Sequence, residues 1–140
     1  LICRRPCVLV QRTTAKEQQR RLVACAVPAE FLEEWGGIVV ENHVNVLRST
    51  SADAVAPEVM AAVLNSETVD QLFRCLSGSV AVSATELHAL PLPGKRVLKQ
   101  VETRLRRSSD PEEAHGAVER ILARVYGSPR SSATSARLAA

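Results

Sequence analysis

Apolar residues along the first third of the chain recur with the period of strands. Two β-rich runs, CVLVQRT (Cys7–Thr13) and RRLVACAV (Arg20–Val27), are joined by the polar stretch TAKEQQ. This predicts a β-hairpin whose loop is longer than the tightest turns. PAEFLEEWGG then predicts a short helical turn ended by a glycine pair, and Ile38–Leu47 (IVVENHVNVL) predicts one or two further strands. Residues 48–56 are small and polar, a surface connection.

From Pro57 the period becomes helical. Val59, Met60, Val63 and Leu64 form one apolar face, with Pro57 in the first turn, where a missing N–H costs nothing. Asn65–Ser66 marks a break, and Ser66 is read as a new N-cap. Val69, Leu72, Phe73 and Leu76 then predict a second amphipathic helix ending near Gly78. After a short extended piece, SVAV, Ser83 and Glu86 fit a capping box, and Pro91 with Pro93 stops the helix it opens. Val97, Leu98, Val101 and Leu105 predict a helix with a basic outer face. Asp110, Pro111 and Glu113 supply an N-cap, a first-position proline and a capping-box acid. The helix they open has the core face Ala114, Ala117, Val118, Ile121, Leu122 and Val125. The tail, 128–140, is small and polar and is expected to be disordered. The expected fold class is α+β: an N-terminal hairpin and further short strands, then capped short helices and a C-terminal helical pair.

At 140 residues with 46% apolar composition the chain can bury a core, and no apolar run approaches the length of a membrane span. It opens on Leu1 rather than Met, so Leu1 is read as an internal cut, and no signal-peptide pattern follows it. Cys3, Cys7, Cys25 and Cys75 are irregularly spaced, with no C-x-x-C pair. They are expected to be reduced, mostly buried thiols of a cytoplasmic protein, with no metal site.

The net charge of +3 hides opposed blocks: residues 1–25 carry +5, residues 26–93 carry −7 and residues 94–140 carry +5. Such blocks fit a polyanion-facing surface beside an acidic body; plain solvated faces are the alternative. Fifteen of the eighteen cations are Arg, which favours bidentate phosphate or base-edge contacts.

No catalytic constellation is present. The sequence lacks a G-x-S-x-G elbow, a Walker-type loop, a G-x-G-x-x-G fingerprint and an H-E-x-x-H pair. His43, His88 and His115 have no local acid or thiol in a known arrangement. The most polar cluster in an apolar frame is ENHVNV. In a strand, Glu41, His43 and Asn45 would share one face and Asn42, Val44 and Val46 the other. Exposed amides there could pair with adenine and His with a phosphate, or the same amides could satisfy turn and strand-end backbone groups.

Val8–Pro28, Val39–Leu47 and above all Val63–Pro93 resemble the C-terminal target-recognition region of TaqI-like adenine-specific DNA modification methyltransferases, of the type II restriction-modification class. The motifs are R-T-T-A-K-E with a following Arg pair, E-N-H-V-N, L-N-S, S-G, and A-T-E-L-H-A-L-P-L-P. The likeness covers about three fifths of the chain. One departure is Ser83, where the family usually has Asn before the A-T-(D/E)-L run. Both residues cap helices, so helix initiation should survive, while any DNA contact made by the Asn would change.

The resemblance implies a parent enzyme that transfers a methyl group from S-adenosylmethionine to the exocyclic amine of an adenine flipped out of duplex DNA. The family's Asn/Asp-Pro-Pro-Tyr/Phe motif and its cofactor-binding glycine motif do not occur here, so cofactor and chemistry would belong to an upstream catalytic domain of the same polypeptide. Residues 1–93 would form the target-recognition region and 94–127 a helical pair packing on it. Arg12, Lys16, Arg20 and Arg21 would hold phosphates, and their loss should weaken binding equally on all sequences. Asn42, His43, Asn45, Thr85 and His88 would reach bases or grooves, and the capped 64–93 segment would act as a rigid frame. The expected location is the prokaryotic cytoplasm at the nucleoid, without membrane contact. A stand-alone nucleic-acid-binding module and a protein-interaction domain are the rival readings.

Overall fold

The computed structural model describes residues 2–50 and 55–127, so the tail predicted to be disordered lies outside the described residues. The fold is α+β. In order come β1 (Ile2–Cys3), β2 (Cys7–Gln11), β3 (Ala24–Val27), α1 (Ala29–Trp35), β4 (Ile38–Val39) and β5 (Val44–Leu47). They are followed by α2 (Pro57–Leu64), α3 (Glu67–Leu76), α4 (Ala84–Ala89), α5 (Lys95–Arg107) and α6 (Pro111–Tyr126).

β2 is the middle strand of a three-stranded antiparallel sheet of order β3-β2-β5, with Leu9 opposite both Cys25 and Val46. Its run CVLV is apolar at every position because both faces of the sheet are covered. Val8 and Val10 face the main core, which extends through α2 and α3 to Leu98, Val118 and Leu122. Cys7 and Leu9 face a smaller cluster with Cys3, Val27, Leu32 and Val40, under α1 and the β1–β4 pair.

α2, PEVMAAVL, has almost no polar face, as a helix surrounded by other elements requires. It packs on β2 and β3 on one side and on α5 and α6 on the other. The C-terminal pair α5–α6 therefore closes the same core that the hairpin opens.

Local signals placed the helix starts. Ser66 accepts the N–H of Val69 at 3.1 Å, and both halves of the Ser83–Glu86 capping box are made, at 3.2 and 2.9 Å. Asp110 accepts from the N–H groups of Glu112 and Glu113. The predicted reciprocal half of that second box is absent, since the Glu113 carboxylate takes the Ser108 hydroxyl at 3.1 Å instead.

Several expectations need correction. Arg20–Val23 is not strand: β3 begins at Ala24, because the N–H groups of Arg21 and Leu22 are taken by Asp70 and cannot join the β2 ladder. α3, by contrast, ends at Leu76, near Gly78 as expected, with Ser77 extended. Leu76 is 51% exposed and Val125 48% exposed, although each lies on its helix's apolar stripe. Both stand in a last turn, and periodicity marks a stripe without showing where the neighbour covering it ends. Of the four free cysteines, Cys3 and Cys7 are buried and Cys25 and Cys75 exposed, so half rather than most are covered. Burial, reinforced by the adjacent Cys3 thiol, pushes the Cys7 thiol up from its ordinary value.

Candidate nucleic-acid interface

The backbone of β2 continues past Gln11 and gathers the polar residues of three separate segments. Arg12 donates its N–H to the His43 carbonyl at 2.9 Å and accepts from Val82 N–H at 2.7 Å. Thr13 bridges Ala81, and Thr14 donates both its N–H and its hydroxyl to the Val80 carbonyl. Residues 12–14 are thus held between the 42–43 turn and the extended piece 80–82.

Side chains tighten this junction. The Arg12 guanidinium donates to the Asn42 carbonyl at 3.3 Å, and Asn45 Nδ2 donates to the Val82 carbonyl at 2.7 Å. Arg12, Asn42 and His43 remain exposed, and Asn45 is half-buried. A guanidinium has five donors, so Arg12 keeps most of its hydrogen-bonding capacity for another partner.

The strand alternation predicted for ENHVNV does not hold. Asn42 and His43 form a turn, and strand begins again at Val44. The chain must change sheets here, because β4 pairs with β1 while β5 pairs with β2. Asn42 and His43 consequently project from a turn beside Arg12, and Asn45 braces the neighbouring segment.

Immediately after Val82 the capping box launches α4. Hydrogen bonds from the Ser77 hydroxyl and then from the Ser83 backbone and hydroxyl hold the Glu86 carboxyl below its usual range. Thr85 and His88 are exposed on this helix. His88 donates Nδ1–H to the Ala84 carbonyl at 2.8 Å, which leaves Nε2 without a partner among the described residues.

The other predicted cations are placed differently. Lys16 is exposed in the long connection between β2 and β3. Arg21 stabilises that connection, donating to the Ala15 carbonyl at 3.0 Å and, at 3.4 Å each, to the Gln18 carbonyl and the Thr14 hydroxyl. The Arg20 guanidinium turns to the Asn65 carbonyl at the α2–α3 junction, with its Nε buried. The structure therefore brings Arg12, Asn42, His43 and Asn45 together, sets α4 directly after them, and leaves Arg20 and Arg21 fastened to the protein's own carbonyls.

Two residues to which the sequence pattern gave no tertiary role, Asn65 and Asp70, hold the start of β3 beside this region. The Asn65 amide pairs with Ala24 like a further strand residue, accepting its N–H and donating to its carbonyl, each at 2.8 Å. Asp70, buried beside Val69 and Phe73, is bonded to the chain entering β3. An acid between Val69 and Phe73 was the available signal, since a buried carboxylate requires partners. Among the described residues no group of three or more His, Cys, Asp or Glu side chains could hold a metal, and no helix is long and apolar enough to cross a membrane.

Comparison with known proteins gives two partial matches. Over 94 residues the chain is 34% identical to the type II methyltransferase M.BsuBI of Bacillus subtilis, covering 65% of this chain and 18% of that protein. Over 96 residues it is 30% identical to the type II methyltransferase M.PstI of Providencia stuartii, covering 67% of this chain and 19% of that protein. The chain thus spans less than a fifth of the length of these curated relatives. No family model and no solved structure matches it. The homology makes this a methyltransferase-related region.

Proposed function

We propose that the chain is the target-recognition region of an adenine-specific DNA methyltransferase of the TaqI-like class, acting within a restriction-modification system at the bacterial nucleoid. The observation that carries this reading is the junction of Arg12, Asn42 and His43, a cation, an amide and an imidazole exposed at a turn, in a chain that is 34% identical over 94 residues to a type II methyltransferase. Arg12, with Lys16 on the adjoining connection, holds backbone phosphates, while Asn42 and His43, followed by Thr85 and His88 on α4, reach base edges. The chain contains no Asn/Asp-Pro-Pro-aromatic run, so S-adenosylmethionine binding and methyl transfer to the adenine amine fall to a catalytic domain elsewhere in the polypeptide. Asn65, Ser66 and the Ser83–Glu86 box form the frame that holds the recognition turn against α4.

One observation favours a second reading, a protein-interaction domain. Phe31 and Trp35 lie 6.2 Å apart on α1 and are exposed, as are the paired strand residues Ile2 and Val39. In the first reading this apolar surface meets the catalytic domain; in the second it meets a separate protein.

The deciding experiment is transfer of labelled methyl from S-adenosylmethionine to unmethylated duplex DNA by the natural polypeptide that carries this chain. Label in adenine, with a raised KM for DNA in an Arg12→Ala/His43→Ala variant, is the expected result. Label in cytosine would overturn the adenine assignment, and no transfer together with no DNA binding would favour the interaction domain.

A further inference from the structure

α5 carries a second cationic surface, on the far side of α2 from the sheet. Its long side chains enclose a trough lined by five cations together with Gln100 and Thr103, and no carboxylate enters it. The helix has one acid, Glu102, and that is paired with Arg106 at 2.8 Å. Arg96, Lys99, Arg104 and Arg107 are all exposed, and none has an ion pair or side-chain hydrogen bond among the described residues.

At its first turn this arrangement works against the stability of the helix, while Arg104, Arg106 and Arg107 in the last turn favour it. Lys95 and Arg96 stand in the first turn, where the partial positive charge of the helix end disfavours cations. Every other helix here has an acid in that turn, and α5 has none. Leu98 and Val101 fix the opposite face in the core, so the cations are held outward. Arg96, Lys99 with Gln100, and Arg107 then present donors along a row of about 16 Å, whereas the Thr103 hydroxyl between them donates to the Lys99 carbonyl at 2.9 Å.

We infer that the outer face of α5, through Arg96, Lys99 and Arg107 with Gln100, is a sequence-independent binding surface for the phosphate backbone of duplex DNA. The inference rests on the DNA-recognition reading and extends it. Base discrimination belongs to the Arg12–His43 turn and α4, whereas α5 grips phosphates on the opposite side of the α2 layer. A phosphate strand matches the surface because it offers a continuous line of acceptors to a line of fully charged donors, and Arg and Lys side chains meet it without reading sequence.

The test is fluorescence anisotropy of the natural polypeptide that carries this chain with a 20-base-pair duplex between 50 and 200 mM KCl. It compares wild type, Arg96→Ala/Lys99→Ala/Arg107→Ala, and Arg12→Ala/His43→Ala. For the α5 variant the slope of log affinity against log salt should shrink by about 2.7, so its loss of affinity across that salt range is about 40-fold smaller than wild type's. The loss at 50 mM salt should be equal on duplexes of unrelated sequence. All three α5 residues are exposed; Arg96 stands in the first turn, where a cation is disfavoured, and Arg107 in the last, where it is favoured, so the two effects offset and the melting temperature of each variant, expected to stay close to wild type's, separates loss of binding from unfolding. An α5 variant with wild-type affinity and slope, beside a weakened Arg12/His43 variant, would overturn the inference and leave the recognition reading standing. The converse pattern would support the α5 surface and overturn the recognition turn. No binding by the wild-type polypeptide at 50 mM salt would overturn both.

Discussion

Asp70 on α3 accepts the backbone N–H of Leu22 at 2.7 Å, tying α3 to the chain entering β3 across 48 residues of sequence. The same Oδ1 takes the N–H of Arg21 at 2.7 Å, and Oδ2 takes Arg74 Nε at 2.8 Å. Asp70 is 5% exposed, so no solvent replaces it. Asp70→Ala leaves two N–H groups and a guanidinium without their acceptor and should cost roughly 3–5 kcal/mol. Asp70→Asn keeps an acceptor for the two N–H groups and should cost roughly half as much. Urea midpoints at unchanged slope measure both, and an Asp70→Ala loss below about 1 kcal/mol would show that the bond is dispensable.

Asn65 closes the outer edge of β3 with its side chain in place of another strand. In Asn65→Ala both backbone groups of Ala24 lose their partners, and stability should fall by about 2–3 kcal/mol. The distinguishing measurement is amide exchange: the Ala24 N–H should exchange much faster in the variant while the Leu9–Cys25 pairing stays protected. Unchanged exchange at Ala24 would refute the edge role.

Glu86 predicts a pH effect whose sign follows from its partners. Its folded-state carboxyl lies below the ordinary value of 4.5, chiefly through the Ser77 hydroxyl and then Ser83. The stabilisation it provides is complete above that ordinary value and disappears as pH falls through the depressed folded value. Urea midpoints from pH 7 down to pH 3 should therefore fall less steeply in Glu86→Gln than in wild type. Parallel curves would mean that the capping box contributes nothing to acid sensitivity.

Gly36 and Gly37 end α1 but are not equivalent. Gly36 caps the helix at φ 71° with open space where a Cβ would stand, so Gly36→Ala should cost roughly 1–2 kcal/mol of backbone strain. At Gly37, φ is 125° and a Cβ would lie 2.9 Å from the Cys3 carbonyl oxygen. Gly37→Ala must therefore displace β1 and should cost roughly 3 kcal/mol or more. Equal melting temperatures for the two variants would argue against the contact with Cys3.

Arg12 and Arg21 should separate binding from folding. Arg12→Ala removes an exposed guanidinium with one weak internal bond, so it should reduce the salt slope of DNA binding by about 0.9 and leave the melting temperature in place. Arg21→Ala removes the side chain that gathers Thr14, Ala15 and Gln18, so it should lower the melting temperature and loosen the long connection. A lowered melting temperature with Arg12→Ala would assign that residue to the fold rather than to DNA.

Much of the secondary structure was legible because it depends on partners within four residues. Ser66, Ser83 with Glu86, and Asp110 with Pro111 each act on their own first turn, so their spacing alone located α3, α4 and α6. The hairpin was legible from its two β-rich runs, although their pairing joins residues 14 to 20 positions apart and the second strand begins at Ala24. What the tertiary structure decided lies between distant segments. The split of residues 38–47 between two sheets, the Asp70 and Asn65 bonds to β3, and the Glu119 carboxylate of α6 over the first N–H groups of α3 all join chain far apart in sequence. The candidate interface belongs to this second class: the R-T-T, E-N-H and S-V-A-V segments meet through backbone hydrogen bonds across 30 to 70 positions. Periodicity and capping report what a residue does to its own turn. Which remote backbone group meets a polar side chain is set by packing of the whole core, and that is where Arg20 turned inward while Arg12 stayed exposed.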